Sequence, residues 1–456
     1  MTRQQRLVLT IAVLASFVAF LDGSVINVAL PAMSEELGGG LSTQQWVVDA
    51  YLITLGSLIL LAGSLSDLFG RVVILRTGLI GFGITSVLIA LAPTAELVIV
   101  LRGLQGVAGA LLVPSSLALI TSTFRGGAQA RAIGSWTAWT SAAFLAGPFL
   151  GGLFVQFLSW RWVFAINVIP IAVTLVLLAI LGQKDVRREN AKVDILGAVL
   201  GVVGLGGPVF ALIEQQNFGW GSPVILVPFI VGVASFAAFL WWQGRASAPM
   251  LPLELFRVRN FSAGNVSTAF VYAALSVSGF IVVIYLQEVA GFPPTIAALA
   301  FLPVSIANVA LSRVFGGLSA RFGPRFFMTV GPLLAGVGHL LFLTMGESVN
   351  YWAQVLPGVL VFSLGLSMTV APLTSAILGS IPSEQSGIGS AVNNAVARVA
   401  GLVAIALLGV IIAGQLDVDS FHRVIVVTSV LFFVGAAVSF VGIRNPAPEP
   451  VSGENA

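Results

Sequence analysis

A nine-residue stretch, GSLSDLFGR at residues 63–71, recurs in the second half of the chain as GGLSARFGPR at residues 316–325. Five of its nine positions match at an offset of 253 residues. Two shorter echoes, residues 133–135 with 388–390 and Pro114 with Pro372, lie at offsets of 255 and 258. Three echoes at nearly the same offset indicate that the chain contains two related halves.

The segments around this repeat are too apolar for a soluble protein. Of 456 residues, 57% are hydrophobic and 9% are charged, and the mean hydropathy is +1.03. An average soluble domain carries about 25% charged residues. We therefore predict that the bilayer is the main solvent, which excludes a soluble enzyme. Zero cysteines exclude disulfides and thiolate chemistry, and two histidines argue against a metal site.

Fourteen apolar runs are long enough to cross a bilayer as helices, which takes roughly 20 residues each. They are residues 7–31, 45–66, 73–93, 97–123, 132–157, 160–182, 194–214, 222–243, 260–288, 295–318, 326–345, 351–379, 389–414 and 423–443. Membrane β-barrels are excluded because their strands alternate in polarity, whereas these runs are continuous.

The repeat offset corresponds to eight spans, which a plain six-plus-six arrangement does not explain. We therefore predict an all-α integral membrane protein with two six-helix bundles and two additional central helices. The predicted divisions are a bundle at 1–182, inserted helices with their flanking loops at 183–259, a second bundle at 260–443, and a tail at 444–456. Duplicated halves around a midplane site are the usual plan of secondary transporters.

The basic residues predict the orientation. With the N-terminus inside, sixteen Lys and Arg residues fall in cytoplasmic segments, and only Arg161 and Arg423 fall outside. Such a bias follows the positive-inside rule. We expect a multi-pass protein of the inner (cytoplasmic) membrane with both termini in the cytoplasm, the 182–193 loop cytoplasmic, and 31–44 and 415–422 outside. The first run is predicted to be a retained span and not a signal peptide.

Several motifs resemble those of the major facilitator superfamily. The segment from Gly63 to Arg71 is similar to its loop motif between the second and third helices, and 101–110 (LRGLQGVAGA) is similar to its helix-four arginine motif. Residues 147–152 (GPFLGG) resemble its antiporter motif, and 21–31 (LDGSVINVALP) resemble the first helix of the fourteen-span drug:proton antiporters. The resemblance covers nearly the whole chain. It implies a major-facilitator fold and export of lipophilic or cationic compounds, such as drugs, in exchange for protons by alternating access.

Asp22 and Arg102 are the predicted proton-coupling residues. Asp22 lies nine residues before Pro31, and Arg102 lies nine residues after Pro93, so both sit roughly 13 Å from the same side at ~1.5 Å per residue. An intramembrane acid is costly unless it is paired, protonated or facing water, so a functional role is the default expectation. A static ion pair that fixes helix packing is the alternative.

The resemblance implies two further sites. Gly63, Asp67, Gly70 and Arg71 would form a latch between the two halves, the alternative being a topogenic loop with an incidental acid. Gly147, Pro148, Gly151 and Gly152 would form the antiporter motif, which packs against the opposite half and is associated with export direction. Its Gly-x-x-x-Gly face is also common in ordinary membrane helix packing.

A third group of residues is predicted to line a substrate cavity. The candidates are Phe20, Asn27, Trp136, Trp139, Asn394 and Arg398. Aromatic faces attract cations, although they also serve as ordinary packing surfaces. Arg398 lies near the midplane of its span, where it either binds an anionic or zwitterionic group or forms a structural pair.

Four further polar residues in the spans are not assigned to a functional site. Asp49, Glu214 and Glu288 are predicted to be solvated near the outer helix ends, which leaves Asp22 as the single deep carboxylate, and His339 is predicted to be a packed core residue.

No Gly-x-x-x-x-Gly-Lys-Ser/Thr sequence is present, so we expect that no nucleotide binds and that a proton gradient is the energy source. We also expect no cofactor and no metal. The expected partners are protons, a small lipophilic substrate and the bilayer, with no nucleic acid, and the protein is expected to be a monomer. Export or flipping of lipids or acylated metabolites is the alternative within transport. An intramembrane enzyme is disfavoured because no buried hydrolase constellation is found, and a channel is disfavoured because it would normally be an oligomer around one axis and not two repeats with an inserted pair.

Overall fold

The structure is a computed structural model that describes residues 1–182, 193–382 and 385–445. Most of the predicted basic loop, at 183–192, and the tail from 446 onward lie outside the described residues. Within the described ranges the chain is helical and contains no strand.

Fourteen long helical segments follow one another, and we number them in chain order. They are α1 Arg3–Leu37, α2 Gly40–Phe69, α3 Arg71–Ala90, α4 Ala95–Thr123, α5 Gly126–Phe157, α6 Trp162–Leu181, α7 Ile195–Phe218, α8 Pro223–Gln243, α9 Arg259–Glu288, α10 Pro294–Phe322, α11 Pro324–Thr344, α12 Tyr351–Leu378, α13 Ser386–Ile412 and α14 Val418–Gly442. Several extend past the predicted runs, because a helix continues into the headgroup region after its apolar stretch ends.

Thirteen of these segments are long and apolar enough to cross a membrane among the described residues. The other one, α5, is 32 residues long and contains the apolar stretch Ala146–Phe157. At ~1.5 Å per residue it exceeds the roughly 30 Å hydrocarbon core. The protein is therefore an all-α, multi-pass membrane protein.

The helices pack in two matching groups. In the first, α1 packs on α5, and α4 packs on both α2 and α3; in the second, α9 packs on α13, and α12 packs on both α10 and α11. Each pair in the first group becomes its counterpart in the second when eight is added to the helix number. The two contacts that join the groups also correspond to each other. Adding eight to α2 gives α10 and adding eight to α5 gives α13, so the contact of α2 with α13 matches that of α10 with α5. The packing thus has the pseudo-twofold arrangement of two six-helix bundles.

The inserted pair packs against the side of this arrangement. Helix α7 contacts α8, α2 and α13, so it covers one of the two seams between the bundles. Close approach of α7 to α8 depends on glycine: a Cβ at Gly207 would lie 2.9 Å from Gly232 Cα. Small residues at such a contact let two helix backbones approach.

The repeated sequence forms the same turn in both bundles. Gly70, between α2 and α3, has φ +102°, and its N–H donates to Ser66 O at 3.1 Å. Gly323, between α10 and α11, has φ +84° and donates to Ser319 O at 2.8 Å. A positive φ favours glycine, which explains why this residue is retained in both copies.

The two ends of the bundle differ. We call the face that carries Arg3 and Gly442 the terminal face and the opposite face the distal face. Among the described residues, the hydrogen bonds that join the bundles lie in the distal half. They are Asn27 Nδ2 to Gly279 O at 3.1 Å, Gln44 Nε2 to Glu288 Oε1 at 2.7 Å, Gln45 Nε2 to Ile405 O at 2.5 Å and to Ala406 O at 3.3 Å, Gln287 Nε2 to Val28 O at 3.3 Å and Thr295 N to Gln156 Oε1 at 3.4 Å. Towards the terminal face, Gly63 and Asn394 are exposed. The bundles therefore meet at the distal end.

Candidate functional site

A buried polar network lies in the first bundle around Asp22 on α1. Arg102 Nη1, from α4, donates to Asp22 Oδ2 at 2.7 Å, and each of the two residues is 1% exposed. Asn167 Nδ2 and Gln105 Nε2 donate to the other carboxylate oxygen at 3.2 and 3.4 Å. The pairing that depth along the sequence predicted is therefore present, and the carboxylate is fully hydrogen-bonded.

Arg102 has acceptors besides Asp22. Its Nε donates to Val47 O at 2.9 Å, and its Nη1 also donates to Gln105 Oε1 at 2.7 Å. The guanidinium lies over the Tyr51 ring, 4.3 Å from its centroid, which adds a cation–π contact. Arg102 thus has several contacts that do not involve the Asp22 carboxylate.

Gln105, a position of the helix-four motif, completes this network together with Asn167 and Ser86, which no sequence motif included. Gln105 Nε2 donates to Ser86 Oγ at 2.9 Å, and all three side chains are buried. The available signal was an amide in the middle of an apolar span, because a buried polar group needs a partner.

The glycines of α5 pack on two neighbours. A Cβ at Gly147 would collide with Ser24 Oγ, and one at Gly151 would lie 2.9 Å from Val25 O, both on α1 just past Asp22. A Cβ at Gly152 would lie 2.7 Å from Thr295 Cα at the start of α10. Gly152 therefore contacts the opposite bundle at the distal end, while Gly147 and Gly151 contact the helix that carries Asp22. Pro148 lies inside α5.

The predicted latch residues lie on the terminal face between α2 and α3. Arg71 Nη2 and Asp67 Oδ1 are 3.7 Å apart, and their side chains are about a third exposed. Gly63 faces open space, since a Cβ there would meet nothing within 4 Å. The second copy has Ala320 in place of the acid, so the ion pair belongs to the first bundle alone.

The six predicted cavity residues do not form one cluster. Phe20 and Trp136 are in edge contact, with ring centroids 6.5 Å apart, while Trp139 is 58% exposed. Asn27 contributes to the distal contact with Gly279. Asn394 is exposed, and its Nδ2 donates to Ser390 O in its own helix.

Arg398 lies on α13 where this helix approaches α2. A Cβ at Gly56 would lie 3.7 Å from Arg398 Cβ, and the Arg398 side chain is half-buried. Among the described residues it forms no ion pair. The structural pair that was one alternative for Arg398 is therefore not seen here.

The structure contradicts the interpretation of Asp49 as a solvated residue and that of Asp22 as the single deep carboxylate. Asp49 is 0% exposed and lies nine residues after Gly40, about 14 Å along α2. Its two carboxylate oxygens have no hydrogen-bond partner within the described part of the chain. The error arose because sequence depth was judged from the end of the apolar run and the facing direction was ignored.

The other acids and the histidine are placed as follows. Glu288 is exposed and accepts from Gln44. Glu214 is half-buried and accepts from Trp46 Nε1 at 2.7 Å, so its predicted solvation holds only in part. His339 is fully buried, with Nε2 2.6 Å from Ser278 Oγ, which confirms it as a packed core residue.

An apolar groove of about 510 Å³ opens sideways between the inserted helices and the second bundle. Its walls come from α2, α7, α8, α9, α13 and α14, and its side chains are apolar apart from Ser57. Leu240 and Val427 on its rim are 39% and 38% exposed. The groove therefore has an apolar surface whose rim is partly exposed.

Comparison with known proteins places the chain among transporters. The profile of the Major Facilitator Superfamily matches residues 12–405 and 266–456. The chain is 35% identical over 407 residues to the methylenomycin A resistance protein of Bacillus subtilis (strain 168), covering 89% of this chain and 87% of that protein. It is 34% identical over 411 residues to the tetracenomycin C resistance and export protein of Streptomyces glaucescens, covering 89% and 76%.

A third relative and a solved structure agree. The multidrug resistance protein Stp of Mycobacterium tuberculosis (strain CDC 1551 / Oshkosh) is 32% identical over 418 residues, covering 91% of this chain and 78% of that one. The crystal structure of a D-xylose-proton symporter superposes with a TM-score of 0.69 at 15% identity, covering 96% and 98%. At that identity the structural likeness concerns the fold alone.

Proposed function

The chain belongs to the major facilitator superfamily, and we propose that it exports small lipophilic or cationic compounds in exchange for protons, as a monomer in the cytoplasmic membrane. Its relatives are named for resistance to, or export of, methylenomycin, tetracenomycin and multiple drugs. The observation that supports proton coupling is the buried, hydrogen-bonded pair of Asp22 and Arg102. Burying a carboxylate in the middle of a membrane bundle costs free energy even when it is paired, and acids found there mark ion pathways and proton relays.

We assign the described conformation to the inward-facing state of an alternating-access cycle. The bundles are joined by hydrogen bonds in the distal half, and Gly152 packs on α10 there. We place the terminal face in the cytoplasm, following the sixteen-to-two distribution of basic residues. A substrate would then enter from the cytoplasm or the inner leaflet, and the latch at Asp67 and Arg71 would act when the terminal face closes.

The proposed coupling step takes place at Asp22. In the described state the carboxylate accepts from Arg102, Asn167 and Gln105. Protonation removes the charge attraction, while Arg102 retains Val47 O, Gln105 and the Tyr51 ring. Since α1 also packs on the glycines of α5, a shift of α1 on protonation would be passed to the helix that contacts the second bundle.

A transport assay tests this function. We expect inside-out vesicles that contain the protein to accumulate a lipophilic cationic dye when an acid-inside pH gradient is imposed, because protons leaving the lumen would drive dye into it. Vesicles without the protein serve as the control. Dye accumulation that continues unchanged after an ionophore collapses the gradient would contradict proton coupling while leaving export itself in place.

The orientation has its own test. The chain contains no cysteine, so single cysteines at Arg257, on the terminal face, and at Ser348, on the distal face, are unique labelling sites; both residues are exposed. In whole cells, we expect an impermeant maleimide to label Ser348→Cys and to leave Arg257→Cys unlabelled until the cells are lysed. The reverse pattern would overturn the proposed orientation.

Export or flipping of lipids is a second candidate, and the sideways groove favours it. Its apolar walls and its rim at Leu240 and Val427 suit an acyl chain as well as a lipophilic drug. The two functions differ in cargo. Translocation of a fluorescent phospholipid between leaflets, with no gradient-driven dye uptake, would favour the lipid function.

A further inference from the structure

Asp49 lies where both bundles and an inserted helix meet. Along α2 it falls one turn after Gln45 and one turn before Ile53, so the three side chains lie on one stripe of the helix. Gln45 donates to Ile405 O on α13. Ile53 packs with Val209 on α7 and with Leu402, Ala406 and other apolar residues of the two helices. Asp49 is therefore enclosed at the junction of α2, α7 and α13.

The junction provides no hydrogen-bond donor to Asp49. Both carboxylate oxygens are buried without a partner among the described residues. Charged groups on the surrounding helices are engaged or distant. They are Asp22 on α1 and Arg102 on α4, which pair with each other; Glu214 on α7, which accepts from Trp46, Ser42 and Asn217; and Arg398 on α13, which approaches α2 at Gly56, two turns away from Asp49.

This environment favours the neutral form of the Asp49 side chain over the ionised form. An ionised carboxylate that is buried without a partner pays a large desolvation cost, whereas the neutral acid pays the much smaller cost of a polar group. The closed junction therefore requires a proton on Asp49. Since α2 and α13 belong to different bundles, the junction has to part when the distal end opens, and water would then reach the side chain.

We propose that Asp49 is a second proton-binding site, whose occupation permits α2, α7 and α13 to close the distal end. A proton taken from the outside by the open state would neutralise Asp49 and stabilise the return to the inward-facing state. The inserted helix α7 then has a function: it completes the dry enclosure that makes closure depend on the proton. The proposal rests on the alternating-access cycle proposed above, but not on the role of Asp22.

Distance measurements on the full chain in nanodiscs test this site. Spin labels on Pro93→Cys and Ser348→Cys, which are exposed distal positions in the first and second bundles, report opening. We expect the ratio of closed to open molecules to fall with rising pH, by up to about tenfold per pH unit for one proton. Asp49→Asn, a neutral isostere, should stay closed at every pH, and Asp49→Glu should keep a pH response.

A matched control helps to separate the possible outcomes. Glu214→Gln changes a carboxylate of the same junction that already has hydrogen-bond partners, and it should keep the wild-type pH response. A wild-type response in Asp49→Asn would overturn the proposal. A distance that changes with added dye but not with pH would overturn this site and leave alternating access standing, whereas a distance that never changes would overturn both.

Discussion

Asp22→Asn should abolish gradient-driven dye accumulation while the protein remains inserted. Asparagine keeps the size of the side chain and an oxygen that accepts from Arg102, but it cannot bind and release a proton. Dye exchange down its own gradient should persist, since the apolar groove and both bundles are unchanged. The measurement compares dye uptake driven by an imposed pH gradient with counterflow of preloaded dye in the same vesicles.

Stability has to be followed in the same variant. Breaking a buried ion pair ordinarily costs about 3–5 kcal/mol, because the remaining charge is left without compensation. The loss here should be smaller, since Val47 O, Gln105 Oε1 and the Tyr51 ring still contact the guanidinium. Asp22→Glu retains a titratable group and is the matched control, expected to recover part of the coupling. Full gradient-driven uptake by a well-expressed Asp22→Asn variant would eliminate Asp22 as the coupling residue.

The sequence predicted the main features of the fold for clear physical reasons. Spans are visible because a bilayer demands long apolar runs, and the two halves are visible because a turn with positive φ keeps its glycine, as Gly70 and Gly323 do. The pairing of Asp22 with Arg102 followed from equal depth, since the two helices cross the membrane in opposite directions. Each of these inferences used only position along a helix axis.

Inferences that required the direction of a side chain were weaker. Asp49 was placed near a helix end and thought to be solvated, but its stripe faces α7 and α13. Asn27, which is predicted to line the cavity, donates its amide across the distal contact to Gly279, a partner that the sequence did not indicate. Helical periodicity is hard to interpret in spans that are apolar on every side, because lipid-facing and protein-facing residues have similar composition. The neighbours of a polar residue are then set by tertiary packing.

Gly152→Val should prevent closure of the distal end and stop export. The glycine lies against the backbone of α10, where even a Cβ would come within 2.7 Å of Thr295 Cα and 3.1 Å of Pro294 O. These are backbone atoms, so a rotamer change cannot relieve the overlap, and the bundles have to separate. Overpacking ordinarily costs about 1–3 kcal/mol, and ~1.4 kcal/mol changes a population ratio tenfold. The closed-to-open ratio should therefore fall about fivefold to about 140-fold, which the labels at Pro93 and Ser348 would measure.

Gly134→Val is the matched control for this effect. Gly134 lies on the same helix, α5, but a Cβ there would meet nothing within 4 Å, so the same side chain should leave both the distance distribution and dye uptake unchanged. General damage to α5 would impair the two variants alike, whereas a specific role of the α5–α10 contact would impair Gly152→Val alone. A Gly152→Val protein that closes and exports normally would show that the glycine is dispensable at this contact, and the proposed part of α5 in closing the distal end would have to be abandoned.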